Sequence, residues 1–277
     1  MRIVLPILSA TMVLCTFSQI ARAEDTPADL LRQAQAAQGK PEEALRLVSK
    51  AIAADPRSAP AYLFRGKLYA SLGQNAEALA DFAKVIDLDP QAAEAYNLRG
   101  AEHFKLGHIA ASIADFDKFL EQKPQEKPGH WMRGISYYYA GKFAEGRQQF
   151  AAYEKVDNND VENAVWHYLC NARLVGTDKA RAEMLKIGRD GRVPMMQVYD
   201  LFGGRARPED ILKVAQAAKA EEQKQALFLA HLYLGLYYDS AGDKQRAREH
   251  MTQAVADAPV GGYMGNVARV HLMRQQK

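Results

Sequence analysis

Four columns of residues recur along this chain at a spacing of 34: Gly66, Gly100 and Gly134; Gly73, Gly107 and Gly141; Phe82, Phe116 and Phe150; Pro56, Pro90 and Pro124. Four independent columns in one register do not coincide by chance, and a period of this length marks a supersecondary unit repeated in tandem. One such unit cannot bury its apolar face alone. Neighbouring units must stack, which commits the chain to a quasi-one-dimensional array with covered ends. Inside each period, apolar residues fall at helical spacing over Tyr62 to Ser71 and Tyr96 to Lys105, with Gly66 or Gly100 where a second helix comes close. Gly73 and Gly107 suit a chain reversal in left-handed geometry. A second helix follows over Ala76 to Leu88 and Ile109 to Glu121, carrying Phe82 or Phe116 toward the first. Pro90 and Pro124, with fixed φ and no donor, delay the next unit.

The period, the glycine and phenylalanine columns and the closing proline resemble the tetratricopeptide repeat (TPR) family. The resemblance implies an all-α fold, a right-handed α-solenoid of helix hairpins with a C-terminal capping helix. The expected organisation is a signal peptide (1–23), an N-terminal array (24–160) and a C-terminal part (228–277). The array holds repeats at 25–58, 59–92, 93–126 and 127–160. The C-terminal part holds a repeat at 228–261, where Leu234, Gly235, Tyr238, Gly242, Ala247, Ala254 and Pro259 match the family columns. Met264 to Gln275 reads as the cap. Residues 161–227 fall one short of two periods and read as two degenerate hairpins, with an amphipathic helix over Val161 to Val175, a second over Lys179 to Ile187, a break at Gly188 to Pro194, and further helices over Met195 to Phe202 and from Pro208.

Residues 1–23 carry a different signal. Met1-Arg2 precedes an apolar run from Ile3 to Phe17, short for a bilayer-spanning helix, and Ala21-Arg22-Ala23 has the small-residue pattern of a cleavage site. Export with cleavage after Ala23 is the expectation, leaving a periplasmic or secreted protein without a transmembrane segment. Leu14 before Cys15 argues against a lipid-anchored form. Cleavage removes Arg2 and Arg22 and leaves 34 basic against 33 acidic residues. No clustered basic run marks a nucleic-acid partner. Cys170 alone survives processing, so packing rather than disulfides must stabilise the fold.

Catalytic signatures are sparse. Gly176-Thr177-Asp178-Lys179 and Gly188-Arg189-Asp190-Gly191 lack the spacing of phosphate-binding loops, and no cofactor or metal is implied. Asp157-Asn158-Asn159-Asp160 resembles the start of a calcium loop but has Tyr168 where the closing glutamate belongs, and reads as a turn with an N-cap. An enzymatic alternative places His167, Cys170 and Asp200 in one site within residues 161–227.

Arg65 and Arg99 precede column glycines, and Asp81 and Asp115 precede column phenylalanines, so a bidentate ion pair within each hairpin is expected. In the fourth repeat Gln149 replaces the aspartate, which leaves Arg133 as a candidate for an acidic group of a partner, with Glu145 or solvent as the alternative. The family resemblance further implies a concave groove lined by the second, fifth, ninth, twelfth and thirteenth positions of each unit. These include Leu63 and Lys67, then Asn97, Phe104 and Lys105, then Trp131, Ile135, Tyr138 and Tyr139. Rigid aromatic anchors of this kind suit a bound peptide or helix, although Trp131 and Tyr138 also fit a packing role. Leu63 and Lys67 depart from the lysine and asparagine pattern of the chaperone-binding subclass. The functional expectation is a non-enzymatic protein-binding scaffold or adaptor of the cell envelope, with the layout and Ala230 to Ala258 similar to periplasmic adaptors of the new lipoprotein I type.

Overall fold

The computed structural model describes residues 25–37, 39–259 and 262–275. The leader expected over residues 1–23 lies outside the described residues. Among the described residues the secondary structure is fifteen α-helices and one 3-10 turn, with no strand. The all-α solenoid expected from the period is the fold observed.

Four hairpins come first: α1 (Pro27–Ala36) with α2 (Pro41–Ala54), α3 (Ala59–Ser71) with α4 (Asn75–Leu88), α5 (Ala93–Lys105) with α6 (Ile109–Gln122), and α7 (Trp131–Tyr139) with α8 (Phe143–Tyr153). The 3-10 turn Pro124–Glu126 joins the third to the fourth. Local chemistry sets the ends. Thr26 and Asp29 form a reciprocal capping box at α1. Gly73 and Gly107 take φ of +73° and +77° in the reversals, a region that costs a side chain dearly and glycine nothing.

After the fourth hairpin the regular stacking changes character. Helix α9 (Val161–Val175) is buried without a break from Asn163 to Asn171. The sequence reads as amphipathic there, but neighbours cover almost every side: α8 on one flank, α10 (Thr177–Ala182) and α11 (Met195–Phe202) on another, α7 on a third. A helix enclosed all round is a core helix. The helix expected over Lys179 to Ile187 ends early, at Ala182. Beyond it the chain leaves helical geometry and returns to the start of α9. There the Gly188 amide donates to the Asn158 carbonyl at 2.8 Å, and Arg192 pairs with Asp160, Glu162 and Asp190 at 2.8, 3.2 and 2.6 Å.

Helix α12 (Pro208–Gln216) leads into α13 (Ala220–Ser240), a 21-residue helix that starts well before the repeat expected at 228 and forms the last hairpin with α14 (Lys244–Asp257). Helix α15 (Tyr263–Arg274) packs on α14 and also reaches back to α5. One large core follows, running from Phe104 through Trp166 and Tyr233 to Val270. Two smaller clusters serve the first repeats, one around Val48 and Ala61 and the other around Val85 and Ala95.

Candidate functional site

The hairpins that would present a binding surface are held by two recurrent contacts. A Cβ added at Gly66, Gly100 or Gly134 would lie 2.6, 2.9 or 2.6 Å from the ring of Phe82, Phe116 or Phe150, so absence of a side chain lets the two helices close on the aromatic. Beside this contact runs the ion-pair ladder. Arg65 donates through Nε and Nη2 to both oxygens of Asp81 at 2.8 Å, and Arg99 does the same to Asp115 at 2.8 and 2.7 Å. Such paired forks fix helix orientation as well as adding attraction.

Arg133 departs from the expectation of a free guanidinium. Its Nε and Nη2 donate to Gln149 Oε1 at 3.2 and 2.7 Å, and its Nη1 meets Asp117 at 2.8 Å. The carboxylate missing from the fourth repeat is supplied by the preceding one. In register, Asp117 stands where the earlier repeats have Ser49 and Ala83. Neither Glu145 nor a bound acid is required. Asp117, two residues past the column aspartate Asp115, was the available sequence signal.

The expected groove residues divide into two groups. Leu63 is half-buried beside the Val85 cluster. Lys67 is exposed and pairs with Glu94 of the next repeat at 2.7 Å. Asn97 accepts from His130 Nε2 at 2.9 Å, while His130 Nδ1 accepts from the Arg133 amide at 3.3 Å and caps α7. This arrangement requires neutral imidazole. Burial, aided by the Arg133 charge, holds the His130 pKa down at about 4.

The second group is covered by the chain itself. Tyr263 of α15 stacks on Phe104 with ring centroids 5.0 Å apart and meets Trp131 edge-on at 5.1 Å, its hydroxyl facing Ser136 and Glu102. Lys105 turns inward to Glu102 at 2.6 Å, with both side chains buried. Ile135 is sealed in the core. Tyr138 packs edge-on to Trp166, and the Tyr139 hydroxyl lies 3.2 Å from His271 Nδ1. Phe104, Ile135, Tyr138 and Tyr139 are therefore buried, Lys105 and Trp131 are partly covered, and Arg133 is engaged by Gln149 and Asp117. The physical reason is that a C-terminal helix, rather than a partner, lies along α5 and touches Trp131 and Tyr139 of α7, while α9 covers Tyr138. The face left open belongs to α3 and the first turns of α5.

Local chemistry opposes Cys170 as the nucleophile of the enzymatic alternative. Cys170 is fully buried, with its sulfur 2.8 Å from where a Cβ of Gly146 would stand, and burial pushes the thiol well above its ordinary pKa. A nucleophilic cysteine needs the opposite shift. Burial lowers His167 to about 4, and Asp200 accepts from Arg205 at 2.9 Å. Asp160 caps α9 by accepting from the Glu162 amide at 3.0 Å, so residues 157–160 form a capped turn. Among the described residues no cluster of three or more His, Cys, Asp or Glu is placed to hold a metal.

Residues 66–107 match the family model described as TPR repeat, and residues 93–126 match the one described as tetratricopeptide repeat. No curated protein matches the sequence significantly. Among solved structures, a tetratricopeptide repeat protein from Parabacteroides merdae superposes with a TM-score of 0.59 at 15% identity, over 88% of this chain and 98% of that one. MamA from Desulfovibrio magneticus RS-1 superposes with a TM-score of 0.52 at 22% identity, over 57% of this chain and 90% of that one. At such identities the likeness is one of fold.

Proposed function

We propose that this tetratricopeptide-repeat protein is a non-enzymatic scaffold of the cell envelope that holds a peptide or helix of a partner protein against the open concave face of its second and third repeats. The observation that carries the reading is the contrast along that face. Helix α15 covers it over α5 and reaches Trp131 and Tyr139 of α7, while Leu63, Lys67 and Glu94 remain partly or fully accessible on α3 and α5. A chain that already seats one helix of its own on part of this face has the geometry to seat another beside it, since helix-in-groove binding needs an apolar floor with polar rims. Placement in the envelope rests on residues 1–23 and their cleavage pattern.

A photocrosslinking residue at Lys67 or at Glu94 is expected to capture the same polypeptide in the exported fraction. The same group at Glu77, exposed on α4, is expected to capture none. Equal capture from Glu77 would move the surface to the other helix of the hairpin. Export is checked separately by mass spectrometry of the mature N-terminus, expected at Glu24; a retained Arg2 would remove the envelope assignment.

A further inference from the structure

Where the last hairpin closes on the fourth, the molecule forms a cleft of about 540 Å³. Its walls come from the fourth hairpin at Phe143, from α9 at Arg173, from the last hairpin at Asp239, Lys244 and Arg248, and from α15 at Arg274. The volume lies inside the range of about 300 to 1,000 Å³ typical of ligand sites. Neither the repeat match nor the open face of α3 includes it.

Its charge is unbalanced. Arg173, Lys244, Arg248 and Arg274 face a single carboxylate, Asp239. Asp239 is nearly buried and already engaged, accepting from Arg173 Nη2 at 3.0 Å and Lys244 Nζ at 2.5 Å, with His271 Nε2 3.7 Å away. Arg248 and Arg274 are exposed and make no ion pair among the described residues. Even the engaged cations keep open donors, the Arg173 side chain being 40% exposed and that of Lys244 65%. One carboxylate orients two cations at the floor and leaves two at the rim without a counter-charge.

Part of the lining is aromatic, with half-buried Phe143 backed by the nearly buried Tyr138. Tyr138 and Phe143 meet edge to face with centroids 5.7 Å apart. A ligand that satisfies both parts of the lining must carry carboxylates and an apolar side chain within a few ångströms of each other. Guanidinium forks match carboxylates in a planar, paired geometry. The cations converge on one concavity instead of lining a track, so a nucleic-acid backbone would meet only part of them. A bilayer surface cannot enter a recess.

We propose that this seam between the fourth hairpin and the C-terminal module binds an acidic peptide segment, with its carboxylates on Arg248 and Arg274 and an apolar side chain against Phe143. The site is separate from the open face of α3, and either can fail without the other.

The test is fluorescence anisotropy of the full chain with a fluorescein-labelled octapeptide of alternating glutamate and leucine. Saturable binding is expected, weakened by about tenfold or more in the double variant Arg248→Glu, Arg274→Glu, because like charges at the rim repel the ligand. Replacing the peptide's glutamates by glutamine is expected to weaken binding by a similar factor, about tenfold. The variant should keep the wild-type circular dichroism and melting temperature, since both side chains are exposed. Lys67→Glu, on the other face, should leave peptide affinity unchanged while abolishing the Glu94 photocrosslink. The proposal is overturned if the peptide does not bind, if the double variant binds it equally, or if Lys67→Glu alone removes binding. It is likewise overturned if anionic vesicles or single-stranded DNA bind more tightly than the peptide through the same two arginines.

Discussion

The first three hairpins and the C-terminal module solve the same packing problem in different ways. Between α1 and α6 the units pack mainly on their neighbours, with α5 also meeting α15, the apolar clusters between the first hairpins are small, and a bidentate arginine–aspartate pair recurs in the second and third. From α9 onward the ladder is gone. The positions that would hold arginine and aspartate in the last hairpin are Leu234 and His250, and the side chains converge on one continuous core containing Trp166, Tyr168, Tyr233 and Phe202. Where burial is limited, orientation comes from directional polar contacts; where it is extensive, shape-matched apolar surface takes over. Nearest-neighbour arrays distribute stability along the chain, whereas a shared core concentrates it.

The widest separation between the two regions is expected from Trp166→Ala. Emptying a fully buried indole site costs about 3 to 5 kcal/mol, and hydrogen exchange should show α9 through α15 losing protection while α1 to α4 keep theirs. Simultaneous loss of all helices would mean one cooperative unit and would erase the distinction. Tyr263→Ala comes next, at about 2 to 3 kcal/mol for a partly covered stacked ring. Its signature is a red shift of Trp131 emission as α15 lifts, with Trp166 unchanged; an unshifted spectrum would show that α15 is held without this ring.

Arg99→Ala leaves Asp115 buried without its fork and should cost about 1 to 3 kcal/mol. Faster amide exchange confined to α5, α6 and α7 is the expected readout, and a uniform change along the chain would contradict the nearest-neighbour picture. The smallest effect is on pH dependence. His130, His167 and His250 are each held down to about 4 by burial, from an ordinary value near 6.5. Their folded forms resist protonation that the unfolded chain accepts. The stability they contribute is therefore full above about pH 6.5, falls as pH drops below that value and levels off once pH passes the folded value. For one such group the loss between pH 7.5 and 6 is below about 1 kcal/mol. His130→Asn retains capping chemistry at α7 and should flatten the melting-temperature profile by one group's share, leaving the remainder to the other histidines lowered by burial, His103 of α5 and His167, His231, His250 and His271. A profile as steep as wild type would show that His130 takes no part in it.

The hairpins were legible because each rests on residues close in sequence: a glycine and an aromatic sixteen apart, an arginine and an aspartate sixteen apart, a left-handed glycine between them. The replacement of Asp by Gln149 was also legible, but its remedy was not, because Asp117 acts across the repeat boundary at a position with no column of its own. The cover on α5 and α7 left no local mark. Phe104 and Tyr263 meet through the accumulated turn of the solenoid, a property of the whole stack rather than of either segment. The same holds for the basic cleft, whose four cations lie on three helices and in a sequence of near-balanced charge. Aromatics at groove positions satisfy binding and packing patterns equally, and only the path of α15 decides between them.

That path has a temporal side. The Tyr139 hydroxyl and His271 are 132 residues apart in sequence, and long-range closures form late because the intervening chain must first be ordered. During synthesis from the N-terminus, the early hairpins can assemble from their own contacts while Phe104, Trp131 and Tyr139 wait uncovered for a helix that has not yet been made. Nascent chains thus pass through an interval in which a sticky aromatic strip faces solvent, and truncation anywhere in α13 or α14 would make that interval permanent. The last helix thus closes over side chains laid down 132 residues earlier, and its docking reports that the intervening helices are in place.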